Sequence, residues 1–352
     1  MSNESAQNTV FGLGTFGDVT VTPDGERLAP AQVIRNLVDE ARLADQVGVD
    51  AFILGEHHRD DFAVSSPETV LAGIATVTER ILLASGVTVL SSDDPVRVFQ
   101  RFSTLDALSN GRAEVQLGRG SFIESFPLFG YRLADYDTLF EEKLELFVEL
   151  LREEPVTWTG TMRAALTDQR VYPPTENGLK AWVGVGGSPE SVVRAARVGL
   201  PLVIAIIGGE PARFAPFVQL YRRALAELGR ADLPVAVHSP GHVAATDEEA
   251  FERFVPHQRA MRDRIGAERG WPKSGDAEYL HEVASGSLYV GSAETVATKI
   301  AATVQALGVQ RFDLKYSGGT LPHEYAMDSI ERFGRDVIPR VRELLGELAP
   351  TS

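Results

Sequence analysis

The sequence predicts a (β/α)8 barrel, and three observations carry that expectation. Eight strand-sized apolar runs alternate with segments whose apolar residues recur at helical spacing. The stretches "VGVDAFIL", "VGLPLVIA" and "LGVQRFDL" repeat one design, in which Gly48, Gly199 and Gly308 each follow a helix and precede a strand. Glycine there adopts the left-handed conformation that stops a helix without a Cβ penalty. Finally, the chemically unusual segments fall just past the strand runs, at the end where barrels build their sites. A doubly wound open sheet is the competing architecture. Against it, "GLGTFG" is followed by a loop and a "TPDG" turn, not by the immediate helix that a dinucleotide fingerprint needs.

The strands are expected at residues 11–16, 51–54, 81–90, 113–117, 181–185, 202–207, 235–237 and 312–315, each short and apolar. The first helix places Ile34, Leu37, Val38, Ala41, Ala44 and Val47 on one face. A later one collects Phe140, Leu144, Phe147, Val148 and Leu151, and another Phe214, Phe217, Val218, Tyr221, Leu225 and Leu228. Asp93 and Asp94 before Pro95 read as a helix start rather than a metal pair. Arg112 and Asp106 read as a structural ion pair at the base of the barrel. Two insertions break the rhythm. After the fourth β/α unit, residues 153–180 read as a small hairpin or irregular excursion, and after the seventh, residues 262–290 read as a lid or mobile loop. No boundary is visible, so a single domain over 1–352 is expected.

Composition narrows the function classes. A net charge of −15 disfavours nucleic-acid and anionic-membrane partners. The absence of cysteine excludes disulfides, thiolate metal sites and cysteine nucleophiles. The start "MSNESAQNT" lacks a basic-then-apolar signal pattern, and no apolar run is long enough to span a bilayer. A cytoplasmic enzyme or binding protein is the expectation.

The segments at strand ends are "GEHH", "SSDDP", "GRGSF", "GGSPES", "GGEP", "HSPGH" and "SGGT". In the first, Glu56, His57 and His58 make a poor metal clamp, because adjacent residues in extended chain point opposite ways. No metal ligand set is therefore assigned. His57 reads either as a general acid/base, since imidazole exchanges protons near neutrality, or as a plain loop group. "GRGSF" and "GGSPES" suggest an anion site. Ser188 is a good N-cap, Pro189 suits the first helical position, and Arg119 could add a charge-assisted bond. An ordinary capped helix beside a surface arginine explains the same residues equally well. Lys315 is the only strand-end lysine, thin support for Schiff-base chemistry. His323 reads as either pocket-facing or helical surface.

At these residues the chain resembles the bacterial luciferase-like flavin monooxygenases. The likeness runs from "GLGTFGD" through "GEHHRDDFAVSSPETVLAGIA", "DPVRVFQRFSTLDALSNGRAEVQLGRGSF" and "GGSPESVVRAARVGLPLVIAIIGG", covering nearly the whole chain. The resemblance implies a barrel that binds reduced FMN, or in some branches a deazaflavin, at its C-terminal face. It puts the active-site histidine at His57, with Glu56 beside the flavin, and the phosphate-binding arginine at Arg119. Gly120, Ser121 and Phe122 would line the ring or ribityl chain, and Gly186, Gly187, Ser188 and Ser191 would close around the phosphate. A non-proline cis peptide would fall at Gly86–Val87, and Gly14, Gly208 and Gly209 at other strand ends would complete the lining. The implied partners are a small organic substrate, O2, a separate flavin reductase and a second copy in a homodimer. A deazaflavin-dependent reductase and a flavin-binding protein without turnover are the alternatives.

Overall fold

The computed structural model describes residues 8–22, 24–120 and 122–347. Strands β1 (Val10–Thr15), β2 (Ala51–Leu54), β3 (Leu82–Val89) and β4 (Ala113–Gly118) come first. An antiparallel hairpin, β5 (Val156–Trp158) and β6 (Leu166–Gln169), fills the first insertion. Then follow β7 (Lys180–Val185), β8 (Leu202–Ala205), β9 (Val235–Val243), β10 (Tyr289–Gly291) and β11 (Arg311–Lys315). Eight of these pair in parallel in the order β1-β2-β3-β4-β7-β8-β9-β11, and β11 returns to β1. Closure leaves the barrel without a free edge. This is the expected (β/α)8 architecture.

The helices are α1 (Pro30–Gln46), α2 (Pro67–Ala75), α3 (Pro95–Ser109), α4 (Ser125–Leu128), α5 (Tyr136–Leu150) and α6 (Pro189–Val198). They continue with α7 (Ala215–Glu227), α8 (Asp247–Arg269), α9 (Asp276–Ala284), α10 (Ala293–Leu307), α11 (His323–Arg332) and α12 (Ile338–Glu347). Local chemistry sets their ends. The Asp94 carboxylate accepts from the N–H groups of Val96 and Arg97, with Pro95 in the first helical position. Gly199 and Gly308 end α6 and α10 in the left-handed conformation. Among the described residues, no helix is long and apolar enough to cross a membrane.

Alternation along the strands separates an outer core from the barrel interior. On β1, Phe11 and Leu13 join Leu37, Ala41 and Ala44 of α1, while a Cβ on Gly12 would stand 2.2 Å from an Asp313 oxygen. The interior holds Trp182, Val203 and Ala236 beside a buried ion network. There Arg311 donates to Asp313 (2.8 Å) and to Glu114 (2.5 Å). Charges so deep persist because each has an opposite partner.

Three expectations are corrected. The seventh ring strand does not stop at residue 237, because β9 continues to Val243 and "HSPGH" lies within it. Its Pro240 and Gly241 sit where β9 exchanges β11 for β10 as a neighbour. Nor are residues 262–290 a loop. They contain the end of α8, all of α9 and most of β10, and their polarity belongs to helix faces turned to water. Third, Arg112 does not pair with Asp106. Its guanidinium donates to the carbonyls of Ala75, Thr78, Ile81 and Ser109, gathering chain ends at the base of the barrel. Other ring-strand ends lie within two residues of expectation.

Candidate active site

One end of the site is built on the loop after β4 and the start of α6. Arg119 leaves β4 half-buried, with its guanidinium carbon 4.8 Å from the Tyr136 ring centre. One terminal nitrogen donates to Asp137 (2.6 Å) and the other to Ser191 Oγ (3.4 Å). Ser188 caps α6: its Oγ accepts from the Ser191 N–H (3.3 Å) and donates to Ser191 Oγ (2.9 Å). Arg194, one helical turn further, also donates to Ser191 Oγ (3.4 Å) while its Nε holds Glu141 (3.0 Å). Two guanidiniums, two hydroxyls and a helix N-terminus thus converge, which is the donor set an anion requires. Arg194 was missed in the sequence, although its i+3 spacing from Ser191 places both on one helix face.

The opposite end is built on the loop after β2. Glu56 is buried, one oxygen accepting from the Val89 N–H (2.8 Å) and the other meeting His58 Nε2 (2.8 Å). It therefore ties the β2 loop to the end of β3. His57 points the other way, as neighbours in extended chain must. Its ring centre lies 4.4 Å from that of Phe62, 4.8 Å from Phe16 and 5.1 Å from Phe122, and its Nε2 is buried without a partner. Burial pushes its pKa down to about 3; the Asp18 carboxylate opposes this, and Lys315 and Arg59 reinforce it. The imidazole is neutral at physiological pH.

A second imidazole was missed. His238 sat in a supposed loop, yet it is an inward residue of β9, its ring stacked on Phe16 (6.0 Å, 22°). It stands over Gly14, where a Cβ would come within 3.2 Å of its Cε1. Burial, then Lys315 and Arg311, lower its pKa to about 4. Lys315 is no free amine: its Nζ donates to the Ser317 carbonyl (2.7 Å) and pairs with Asp18 (3.2 Å).

Between the two ends the mouth of the barrel is kept shallow by small residues. The Gly86–Val87 peptide is cis. The Val87 side chain lies where a Cβ on Gly118 or Gly184 would be 2.6 Å away, and a Cβ on Gly86 would be 2.3 Å from Ile53. Gly120 takes φ +79° beside Val89, and Gly187 takes φ +94° before the cap of α6. Gly186 has open space around it. Ser121 lies outside the described residues. Gly208 and Gly209 do not join either cluster; Gly209 instead donates its N–H to the Glu282 carboxylate of α9 (3.1 Å).

The last turn of α8 closes over the histidine end. Arg59, only 7% exposed, holds Asp61 (3.0 Å), Glu124 (2.6 Å) and Glu268 (2.7 Å). Arg59 and Arg269 both rest against the Phe122 ring, at 4.6 and 4.9 Å. Among the described residues no three histidine or carboxylate side chains gather as a metal site. The anion donors, the small-residue mouth and the orphaned His57 nitrogen together fit a flat ring carrying a phosphate.

Comparison with known proteins identifies the fold and the family. The model of the luciferase-like monooxygenase family matches residues 14–311. The N-acetyl-S-alkylcysteine monooxygenase of Bacillus subtilis is 29% identical over 246 residues, 66% of this chain and 69% of that protein. The oxygenating constituent of 3,6-diketocamphane monooxygenase from Pseudomonas putida, solved with FMN, superposes with a TM-score of 0.74 at 21% identity, covering 95% of this chain and 99% of that one. The coenzyme F420 dependent tetrahydromethanopterin reductase from Methanopyrus kandleri does so with a TM-score of 0.71 at 19% identity, covering 95% and 99%. Family match and barrel architecture together place this chain among the luciferase-like monooxygenases, a family of flavin-dependent oxidoreductases.

Proposed function

We propose that the protein is an FMN-dependent monooxygenase acting on a small organic substrate with O2. The observation that carries this reading is the convergence of Arg119, Arg194 and Ser188 on Ser191 at the N-terminus of α6, at the same C-terminal end of the barrel as the orphaned Nε2 of His57. Arg119, Ser188, Ser191 and Arg194 would hold the phosphate. Gly14, Gly86, Val87 and Gly120 would lie along the ring and ribityl chain, with Phe122 as a wall. The chemistry such a cofactor would supply is two reducing electrons, which with two more from the substrate would take O2 to one oxygen atom in the product and one in water.

His57 would assist proton transfer at Nε2 where charge developing on the bound reactants offsets the burial that otherwise keeps the imidazole neutral, and Glu56 fixes the loop that presents it. The α8 end and Phe122 would exclude water. As the family resemblance implies, reduced FMN would come from a separate reductase, and the protein would work as a homodimer; a cytoplasmic setting would follow from the sequence pattern alone. FMN is preferred to a deazaflavin because two guanidiniums, two hydroxyls and a helix N-terminus suit a terminal phosphate dianion. Titration with FMN and with a deazaflavin, followed by oxygen uptake of the reduced complex, tests the reading. FMN should bind at low micromolar concentration or below and the reduced complex should consume oxygen. Tighter deazaflavin binding without oxygen uptake would move the protein to the reductase reading.

A further inference from the structure

We propose that the aromatic enclosure at His57 takes an uncharged aromatic or apolar group that presents one hydrogen-bonding atom to Nε2. The inference rests on the functional reading above and names the substrate class of the same site. Its first support is the wall chemistry. Phe16, Phe62 and Phe122 surround the imidazole with ring centres 4.4–5.1 Å away, offering faces and edges but no charge. Among the described residues, the imidazole at the centre of these rings has its Nε2 buried without a partner.

The second support is how the neighbouring charges are engaged. Arg59 has three carboxylates, from Asp61, Glu124 and Glu268, arriving from three different segments. Lys315 has Asp18, and the Asp18 carboxylate also accepts from Ser317 and Gly319. Glu56 is engaged by Val89 and His58. His57 and His238 are both neutral at physiological pH. Among the described groups the cations named here already hold carboxylates. The carboxylate oxygen left over, Glu124 Oε2, belongs to a residue already paired with Arg59, so an anionic or cationic substrate would lose its hydration with little compensation.

The third support is what lies outside. Past Phe122 opens a cavity of about 310 Å³, lined by Gly120, Ile123, Leu133 and Tyr136 as well as Phe122. Ile123 and Leu133 are more than half exposed there. An apolar extension of the substrate has somewhere to go, with the burial of apolar area favouring its binding.

The experiment uses matched pairs of nearly equal shape: benzaldehyde against benzoate, and cyclohexanone against cyclohexanecarboxylate. FMN affinity is measured first by fluorescence. The pairs are then titrated into the FMN-loaded protein, read by the flavin absorption band, and into the protein alone, read by calorimetry. The neutral member should bind at least tenfold more tightly at pH 7.5. Phe62→Leu should weaken the neutral ligand several-fold while leaving FMN affinity unchanged. A Glu124→Gln, Glu268→Gln double variant leaves Arg59 with Asp61 alone, and should narrow the neutral-over-anion preference by raising affinity for the anion. If the anion binds as tightly as the neutral partner, or if neither binds in both preparations, the inference is wrong. If FMN fails to bind but the neutral preference persists by calorimetry, the flavin reading fails and the pocket chemistry stands.

Discussion

The two ends of the site are built on opposite physical plans. At Ser191 the groups are polar, partly solvated and already charged; Asp137, the carboxylate held by Arg119, is 70% exposed and easily displaced by an incoming anion. At His57 the groups are aromatic, dry and neutral, and the nearby charges are matched within the protein. One end recognises by preformed donors, the other by desolvation. Affinity for a phosphorylated cofactor should therefore reside in the first and turnover in the second, so the two can be separated by mutation.

The sharpest separation is expected from His57→Asn. General acid–base assistance is worth about 10²–10⁴-fold, so turnover with reduced FMN and a competent substrate should fall by about that factor. FMN affinity should stay within about threefold, since Asn keeps the loop polar and Glu56 still anchors it. Full turnover in this variant would remove the proton-transfer role and leave the binding end untouched.

Arg119→Ala reverses the pattern. Hydrogen bonds to a charged group contribute about 1.5–3 kcal/mol, so FMN binding should weaken about 10–100-fold by fluorescence titration. Turnover at saturating FMN should change little. Arg119→Lys should recover only part of the loss, because an ammonium cannot bridge Ser191 and the phosphate with one planar fork. Smaller effects belong to the supporting groups. Arg194→Ala should cost about fivefold in FMN affinity, since its Nε already holds Glu141. Ser188→Ala removes a helix cap, about 1 kcal/mol, visible as a lower Tm as well as weaker binding.

This contrast also explains what was legible in the sequence. The barrel could be read from periodicity and from Gly48, Gly199 and Gly308, because strand closure and helix stops leave local signatures. Ser188 and Arg119 were legible for the same reason: a cap and an arginine at a strand end are local features. The histidine end is not local. Phe16, Phe62, Phe122 and His238 come from the β1 loop, the β2 loop, the β4 loop and β9, and only the closed barrel brings them together. His238 was hidden further by Pro240, which made an inward-facing strand look like a loop. Polarity misled in residues 262–290, where salt bridges such as Arg262–Glu278 (3.0 Å) and Arg264–Asp60 (2.5 Å) clothe helices rather than a loop.

The smallest effects concern stability, and they set the buried imidazoles against a fourth one at the rim. His57 and His238 are held down to about 3 and about 4, and His242, stacked on Phe254 with both nitrogens orphaned, to about 3, burial being the main cause in each. The unfolded chain takes up protons at these residues below about pH 6.5 while the native state refuses them. Stability should accordingly decline as pH falls from about 6.5 toward 4. His323 works in the opposite sense. Burial lowers its pKa, but Glu40, which accepts from its ring (2.7 Å) and also binds the Tyr316 hydroxyl, outweighs that and raises it overall. Its contribution is complete below about pH 6.5 and is lost as pH rises through the native value. His242→Leu, remote from both ends of the site, should therefore raise Tm at pH 5 by a few degrees relative to pH 8. His323→Gln should lower Tm by about 1 °C at pH 6, the pair being partly solvated, and by almost nothing at pH 9. Parallel pH–Tm curves for wild type and His242→Leu would show that the native imidazole accepts its proton after all, and would undercut the dry, neutral character assigned to the histidine end as well.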